Sequence, residues 1–186
     1  MPFTPTTFPG LIVIDPVILE DSRGYFFEAY SEELFHVNNI KALFVQDNQS
    51  KSSYGVVRGL HYQKPPHAQS KLIRVLSGTI VDTVLDLRVG SPTFGETFSI
   101  HLSAENKKQL FIPKGFAHGF SVITKTAEVL YKCDAYYNRD SESGILYNDP
   151  ELNIDWEVPT GSVMVSDKDR LLPTFNSYAG DFTFNQ

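Results

Sequence analysis

The sequence predicts an all-β domain in which many short strands pack as a double-sheet sandwich or barrel. Apolar and polar residues alternate with a period of two, turn residues separate the alternating segments, and only one segment has a clear helical pattern. A chain of 186 residues with 41% hydrophobic residues is long enough to bury a core without disulfide or metal cross-links. We therefore expect residues 1–186 to form a single domain.

The predicted strands follow one another closely along the first three quarters of the chain. In order they cover residues 11–19, 25–30, 44–49, 56–63, 72–76, 81–87, 97–103, 109–112, 116–123 and 128–137. Turn signals rich in Gly, Pro, Ser, Asp and Thr separate them at 21–24, 77–78, 90–92, 113–115 and 124–126. The strict alternation at 81–87 and 97–103 predicts strands with one buried and one exposed face.

The helical signals are few and lie outside the predicted sheets. Residues 32–38 form the clear helix candidate, with Ser31 as N-cap and the acids Glu32 and Glu33 in the first turn. A second short helical turn is expected after Ser103. Residues 161–173 are predicted to be a loop or short helix that docks on the barrel.

The charge balance excludes some classes of partner. Sixteen Lys and Arg against 22 Asp and Glu give a formal charge of −6, which argues against binding to nucleic acid or to an anionic membrane surface.

No apolar run approaches the roughly 18 residues that a membrane-spanning helix needs. Cys133 is the single cysteine, so no intrachain disulfide can form. Together with the absence of a basic leader segment, these features predict a cytoplasmic protein.

Two spaced motifs narrow the fold prediction. Gly55 precedes His61 by six positions, and Gly78 follows Lys71 by seven, a spacing that resembles the first motif of the cupin family. Residues 113–118 have the Pro-x-Gly-x-x-His pattern of the second cupin motif. The resemblance implies a cupin-type double-stranded β-helix, a jelly-roll barrel, with a few short peripheral helices.

The departures from the cupin pattern concern its metal ligands. Gln63 stands where the second metal-binding histidine would be, and Lys71 stands where the glutamate would be. Only His61 and His118 remain, and a lysine ammonium has no lone pair to offer a cation. We therefore expect no metal and no other cofactor.

The same residues suit proton abstraction next to a carbonyl group. A histidine such as His61 can take an α-proton, and the ammonium of Lys71 can stabilise the resulting oxyanion. Return of a proton to the opposite face requires a second acid, for which Tyr131 is the candidate. A carboxylate that orients the histidine completes the set; Asp169 is available in the segment 166–169, where Asp167 competes for the same role.

Six segments together resemble the dTDP-4-dehydrorhamnose 3,5-epimerase family, in the family's order and over nearly the whole chain. They are residues 21–28, 46–50, 57–63, 113–120, 148–150 and 166–169. The resemblance implies a metal-free homodimer acting on a dTDP-4-keto-6-deoxy sugar in the biosynthesis of dTDP-L-rhamnose and cell-surface polysaccharide such as lipopolysaccharide. The expected reaction inverts C3 and C5 of dTDP-4-dehydro-6-deoxy-D-glucose to give dTDP-4-dehydro-L-rhamnose.

The resemblance also implies a role for each matching residue. His61 would be the base, oriented by Asp169, with Lys71 at the C4 oxygen and Tyr131 as the acid on the far face. Substrate contacts would come from Arg58 at the diphosphate, from Arg23, Glu28, Gln46 and Asn48 at the nucleotide, and from His118, Glu142 and Lys168 elsewhere. Arg23 and Glu28 are the residues that could reach in from a partner chain.

A geometric condition applies to Arg58 and His61. They have opposite parity along the predicted strand 56–63, so a regular strand would send their side chains to opposite faces. Both can face one ligand only if the strand bends or bulges near Gly59.

Several alternatives remain open at the level of the sequence. A sibling enzyme that inverts only C3 or only C5, or a related keto-sugar isomerase, would use the same base and pocket. A metal-dependent cupin oxygenase is disfavoured by Gln63 and Lys71. A non-catalytic module that binds a nucleotide or sugar would explain the arginines but not the joint presence of the four catalytic candidates.

Overall fold

A computed structural model describes residues 1–184 of the chain. The strands in these residues are β1 (Phe3–Pro5), β2 (Ile12–Ile14), β3 (Leu19–Asp21), β4 (Gly24–Phe26), β5 (Gln46–Ser53), β6 (Val57–Gln63), β7 (Lys71–Ser77), β8 (Thr79–Asp86), β9 (Arg88–Val89), β10 (Thr97–Ser103), β11 (Gln109–Ile112), β12 (Phe116–Val122), β13 (Thr126–Cys133), β14 (Glu142–Gly144) and β15 (Phe182–Thr183). The helices are α1 (Glu32–Val37) and α2 (Asp167–Arg170), with 3₁₀ turns at Arg139–Ser141, Thr160–Ser162 and Phe175–Ser177.

Two antiparallel sheets form the body of the molecule. The first has the strand order β1-β2-β11-β7-β13-β5 and the second the order β10-β8-β12-β6-β14. Apolar side chains of both sheets, such as Ile73, Val129, Val84 and Phe120, pack in one buried cluster between them. The prediction of an all-β barrel with a few short helices is therefore confirmed.

Strand β8 differs from its prediction as a half-buried strand. Every residue from Ile80 to Asp86 is buried, because both faces of the strand are covered. One face joins the cluster between the sheets, while Leu85 joins a second cluster with Ile145 and Trp156 from the C-terminal third of the chain. The predicted docking of residues 161–173 is confirmed, since Val163 and Val165 pack against this second cluster. By contrast β10 keeps the predicted alternation from Phe98 to Leu102, although Ser103 is buried as well.

Some predicted strand boundaries are wrong for identifiable reasons. The predicted strand 11–19 is two short strands, β2 and β3, separated by a segment that contains Pro16, whose nitrogen cannot donate to a sheet. Strand β13 ends at Cys133, so Tyr136 and Tyr137 lie beyond it. The single turn predicted after Ser103 is present at residues 104–106, where the Lys107 N–H donates to the Ser103 carbonyl at 3.0 Å and Ser103 and Asn106 exchange side-chain to backbone hydrogen bonds.

Helix α1 begins as predicted. The Ser31 hydroxyl accepts a hydrogen bond from the Leu34 N–H, and Phe35 is the buried residue of the helix. Within residues 1–184, every helix is too short or too polar to cross a membrane.

Candidate active site

Strand β6 contains the irregularity that its sequence requires. In the pairing with β12, Arg58 lies opposite Phe120 and His61 opposite His118, so two residues of β6 face one residue of β12. Gly59 sits in this bulge with φ of 125°, and a Cβ there would lie 2.5 Å from the Cα of Gly119. The bulge lets Arg58 and His61 line the same cavity.

This first cavity, called here the Arg58 cavity, has a volume of about 310 Å³ and is lined by Val56, Val57, Arg58, His61, Met164, Val165, Ser166 and Asp169. A second cavity of about 290 Å³, the Tyr131 cavity, lies on the other side of His61. Its lining residues are Gln46, Asn48, His61, Tyr62, Gln63, Gln69, Lys71, Tyr131, Tyr137 and Glu142. His61 is thus shared by both cavities.

His61 is held by a carboxylate from the C-terminal segment. Its Nε2 lies 2.7 Å from Oδ1 of Asp169, whose side chain is buried, whereas the His61 side chain is 32% exposed. The Ser166 hydroxyl accepts a bond from the Asp169 N–H and so caps α2, and the Gly59 N–H donates to the Asp169 carboxylate. Because an ionised carboxylate can only accept, Nε2 carries the hydrogen, which leaves Nδ1 of His61 as the second ring nitrogen.

Asp169 keeps its charge despite its position. Burial would raise the pKa of this carboxyl, but the hydrogen bond and charge of His61, with smaller contributions from Gly59 and Ser166, outweigh burial and lower it. The ionised form is therefore the one present at neutral pH. It fixes the orientation of the imidazole, and its negative charge favours the imidazolium form of His61.

Tyr131 and Lys71 line the Tyr131 cavity from the sheet opposite to the one that carries His61. Tyr131 lies on β13 and Lys71 on β7, whereas His61 lies on β6 of the five-stranded sheet. The Lys71 Nζ is 5.9 Å from the centre of the Tyr131 ring. One cavity therefore has a histidine on one wall and a phenol with an ammonium on the other.

Burial shifts the pKa values of Lys71 and Tyr131 in opposite directions. It lowers the pKa of the Lys71 ammonium, against the opposing negative charges of Asp82 and Glu142. It raises the pKa of the Tyr131 phenol, which the positive charge of Arg58 only partly offsets. Burial also raises the pKa of the adjacent Cys133 thiol, so that this cysteine is a neutral, buried residue. Tyr131 is thus kept protonated, as a proton donor must be.

His118 lies behind His61 rather than on the cavity wall. It is buried, pairs directly with His61 across the strands, and its Nε2 is 2.9 Å from Oδ2 of Asp82. The other oxygen of Asp82 is buried and has no hydrogen-bond partner among residues 1–184. The sequence interpretation did not include Asp82; its inward parity with Ile80 and Val84 on β8 was the available signal.

Glu142 and Lys168 meet at the mouth of the Tyr131 cavity. The Lys168 ammonium forms an ion pair with Glu142, and the Tyr137 hydroxyl donates to the same carboxylate at 2.7 Å. Burial would raise the pKa of Glu142, but these two partners lower it. Tyr137 was not among the predicted site residues, because it was assigned to a strand that in fact ends at Cys133.

Gln46 and Asn48 lie on the inner face of β5 and are bonded to each other, since the Gln46 amide donates to the Asn48 side-chain oxygen at 3.0 Å. The same Gln46 side chain accepts from the backbone N–H of Tyr137. Four residues after Asn48 and on the same face, Ser52 accepts a 3.0 Å hydrogen bond from Nε of Arg58. Ser52 is a contact that sequence analysis missed, although its parity with Asn48 places it on the inner face.

Arg23 and Glu28 are not brought to this site within one chain. Arg23 occupies the turn between β3 and β4, pairs with Asp21, and lines a separate depression of about 500 Å³. Glu28 lines another surface depression together with Phe26 and Leu34. Neither residue lines the Arg58 cavity or the Tyr131 cavity.

Gln63, at the position of a cupin metal ligand, is occupied by backbone contacts. Its amide nitrogen donates to the carbonyl of His67 at 2.7 Å, and its oxygen accepts from the N–H of Asn138 at 2.6 Å. Gln63 therefore ties two loops to β6. In the part of the chain from residue 1 to residue 184, no group of three His, Cys, Asp or Glu side chains is arranged to hold a metal ion.

Comparisons with known proteins agree with this geometry. A family model described as dTDP-4-dehydrorhamnose 3,5-epimerase matches residues 5–177. The enzyme of that name from Shigella flexneri is 46% identical over 165 residues, which cover 88% of this chain and 90% of the relative.

Two solved structures are similar in fold over almost the whole chain. A dTDP-6-deoxy-D-glucose-3,5-epimerase from Legionella pneumophila, in complex with dTDP-4-keto-L-rhamnose, has a TM-score of 0.93 and 43% identity and covers 100% of this chain and 98% of its own. A 3'-monoepimerase from Streptomyces bikiniensis, in complex with dTDP-quinovose, has a TM-score of 0.86 and 29% identity, with coverage of 94% and 88%.

Proposed function

Because the chain belongs to the dTDP-4-dehydrorhamnose 3,5-epimerase family, we propose that it inverts C3 and C5 of dTDP-4-dehydro-6-deoxy-D-glucose, with His61 as the base and Tyr131 as the acid. The product is dTDP-4-dehydro-L-rhamnose, which supplies rhamnose for cell-surface polysaccharide such as lipopolysaccharide. A single observation carries the assignment of the two residues. His61 and Tyr131 face one cavity from opposite sheets, as removal of a proton from one face of a carbon and its return to the other require.

In the first half of each inversion, Nδ1 of His61 takes the proton from the carbon next to the C4 carbonyl. The electron pair of the broken C–H bond forms a double bond to C4, and the carbonyl pair moves onto the C4 oxygen. The Lys71 ammonium stabilises this oxyanion, and Asp169 stabilises the imidazolium. Lys71 therefore lowers the energy of a charge that exists only after proton removal.

In the second half, the C4 oxygen returns its pair, and the carbon takes the Tyr131 phenolic proton on its opposite face. His61 is then an imidazolium and Tyr131 a phenolate, and transfer of one proton between them through solvent restores both. No atom is gained or lost. The same cycle at the second carbon gives the doubly inverted sugar.

The nucleotide is held by the residues around the two cavities. The planar guanidinium of Arg58 suits two oxygens of the diphosphate, and Gln46 and Asn48 offer amide groups on the adjacent strand. Glu142 and Lys168, at the mouth of the Tyr131 cavity, complete the set of substrate contacts in this proposal, whereas the buried His118 lies off the cavity wall.

Proton exchange measured by NMR tests the reaction. The chelator-treated protein is incubated in D₂O with dTDP-4-dehydro-6-deoxy-D-glucose, and the C3 and C5 proton signals are followed. We expect loss of both signals together with inversion at both carbons. Binding without exchange would contradict an enzymatic function, and dependence on added metal would contradict the metal-free mechanism.

The same measurement distinguishes the single-inversion alternative. A 3'-monoepimerase shares this fold at 29% identity, so the barrel is compatible with inversion at one carbon. Exchange and inversion at C3 alone, or at C5 alone, would identify this chain as such an enzyme. Exchange at both carbons excludes it.

The pH dependence of the activity follows from the side chains whose pKa values are shifted. Burial lowers the pKa of the Lys71 ammonium, so that it loses its proton at a lower pH than an exposed lysine would, while burial raises the pKa of the Tyr131 phenol. Activity is expected to fall on the alkaline side as the ammonium loses its charge.

The measurement is kcat against pH for the wild type, for Lys71→Met and for Lys51→Met as a surface control with a 66% exposed side chain. The control should keep the wild-type profile. Lys71→Met should be slow and should lack the wild-type alkaline decline. If kcat of Lys71→Met fell at high pH as it does in the wild type, a group other than Lys71 would cause the decline.

We also propose that the working unit is a homodimer. The hairpin of β3 and β4 pairs with no other strand among the described residues and exposes Leu19, Tyr25 and Phe26 by 58–68%. A second copy packed on this apolar hairpin would cover it and could receive Arg23 and Glu28 into its own site. Sedimentation at micromolar concentration checks the dimer, and a monomer under turnover conditions would contradict it.

Two further proposals concern the whole chain. Residues 1–186 act as one catalytic domain, since the C-terminal helix α2 carries the Asp169 that completes the site on β6. The protein works in the cytoplasm, where a buried free thiol such as Cys133 remains reduced. Cell fractionation checks the location.

A further inference from the structure

We propose that Ser52 is a positioning residue for the diphosphate group, because its hydroxyl holds the Arg58 guanidinium so that Nη1 and Nη2 remain available to the ligand. This inference rests on the proposed function, since it assigns the ligand of Arg58 as the diphosphate of a dTDP-sugar.

The contact between the two side chains is direct. Arg58 Nε donates to Ser52 Oγ at 3.0 Å, and this is the one polar contact that the Arg58 side chain makes within residues 1–184. Arg58 is exposed, while Ser52 is 7% exposed and part of the regular β5 ladder. A buried, fixed acceptor thus holds one end of an otherwise mobile guanidinium.

The atom that Ser52 engages determines which edge of the guanidinium a ligand can use. A guanidinium offers two edges to a pair of oxygens, one through Nε with one Nη, and one through both Nη groups. Because Ser52 accepts the Nε hydrogen, the edge with both Nη groups remains. The diphosphate is therefore expected to meet Arg58 end-on, through Nη1 and Nη2.

The position of Ser52 links this arginine to the rest of the nucleotide site. Gln46, Asn48 and Ser52 share the inner face of β5, and the first two line the Tyr131 cavity. Arg58, on the bulged strand β6, lines the Arg58 cavity, with His61 between the two. The hydrogen bond to Ser52 thereby holds the guanidinium at a constant place relative to the amides of β5.

A fixed arginine binds more tightly than a free one, because fewer side-chain rotamers are lost when the ligand arrives. Loss of the Ser52 hydroxyl should weaken the binding of dTDP by about tenfold. Thymidine lacks the diphosphate, so its affinity should not change. In turnover, KM should rise while kcat stays constant, because the contact is the same in the ground state and the transition state.

The experiment is calorimetric titration of dTDP and thymidine into matched variants of the full chain. Ser52→Thr keeps the hydroxyl. Ser52→Val has nearly the same shape as the Thr variant but lacks the hydroxyl, and Ser52→Ala is a second variant without the hydroxyl and with a smaller side chain. Ser53→Ala, at the exposed neighbouring position, is the control and should match the wild type. We expect the Val and Ala variants to lose dTDP affinity and the Thr variant to stay within about twofold of the wild type.

A double-mutant cycle gives an independent test. Arg58→Lys keeps a positive charge but has no Nε–H for Ser52 to accept, so Ser52→Ala should have almost no further effect in that background. Equal dTDP affinity in the Thr and Val variants, or equal weakening of dTDP and thymidine, would overturn the inference. Failure of the wild type to exchange protons in D₂O would overturn only the proposed reaction, because these titrations need no turnover.

Discussion

Replacement of His61 by alanine is expected to lower kcat by about three orders of magnitude, the range of a general base in proton abstraction. The variant loses Nδ1, the ring nitrogen that Asp169 leaves unengaged, while the proposed nucleotide contacts of Gln46, Asn48 and Arg58 remain. Affinity for dTDP should therefore stay within about threefold of the wild type. Proton exchange at C3 and C5 in D₂O should disappear together with inversion.

Two companion variants make this result specific. Asp169→Asn keeps the shape of the side chain, but its amide can donate a hydrogen bond to Nε2 of His61. This favours the tautomer with the proton on Nδ1, the nitrogen that must be unprotonated to act as the base. We therefore expect kcat to fall by at least about a hundredfold. His101→Ala removes an exposed histidine that is paired with Glu157 on the surface, and should leave kcat unchanged. If His61→Ala kept kcat within tenfold of the wild type, another residue would be the base.

The fold was predictable because its signals are local. Alternation with a period of two identified the strands of the barrel, and the Ser31 cap identified the start of α1. The need for a bulge at Gly59 followed from parity alone, once Arg58 and His61 were assigned to one ligand. Each of these inferences depends on residues that are neighbours in the sequence.

Features that depend on distant residues were missed. Strand β8 is fully buried because residues 145–178 pack over its second face. The hydrophobic periodicity of residues 145–178 is weak, so their sequence does not indicate where they pack. The hydrogen bonds from His118 to Asp82 and from Arg58 to Ser52 depend on the register between strands, which the hairpin and barrel closure determine. Parity shows that these side chains point inward, but it cannot show which of them meet.

The positions of Arg23 and Glu28 illustrate a different limit. The resemblance assigned both to the nucleotide, yet within one chain they line other depressions. In the proposed homodimer, a second copy of the chain on the exposed apolar hairpin beside Arg23 would bring them to a site. A site assembled from two chains cannot be read from one chain's topology.

Replacement of Tyr131 by phenylalanine should separate proton exchange from inversion. Phenylalanine keeps the ring beside Lys71 but removes the hydroxyl, so the acid on the far face is lost while His61 and Asp169 remain. His61 can still take a proton and, after exchange with solvent, return deuterium to the same face. We expect inversion to slow by about 10²- to 10⁴-fold, with deuterium still entering the substrate in its original configuration.

The comparison that decides this prediction is the ratio of deuterium incorporation to inversion, measured by NMR on one sample. In the wild type the two should proceed together, because each enolate is reprotonated from the Tyr131 side; in Tyr131→Phe the ratio should rise steeply. Tyr136→Phe is the matched control, since Tyr136 lies beyond the end of β13 and its side chain is 71% exposed. Inversion at the wild-type rate in Tyr131→Phe would assign the acid to another group. Loss of both exchange and inversion would show that Tyr131 is needed for proton removal as well, which an acid acting only on the opposite face cannot explain.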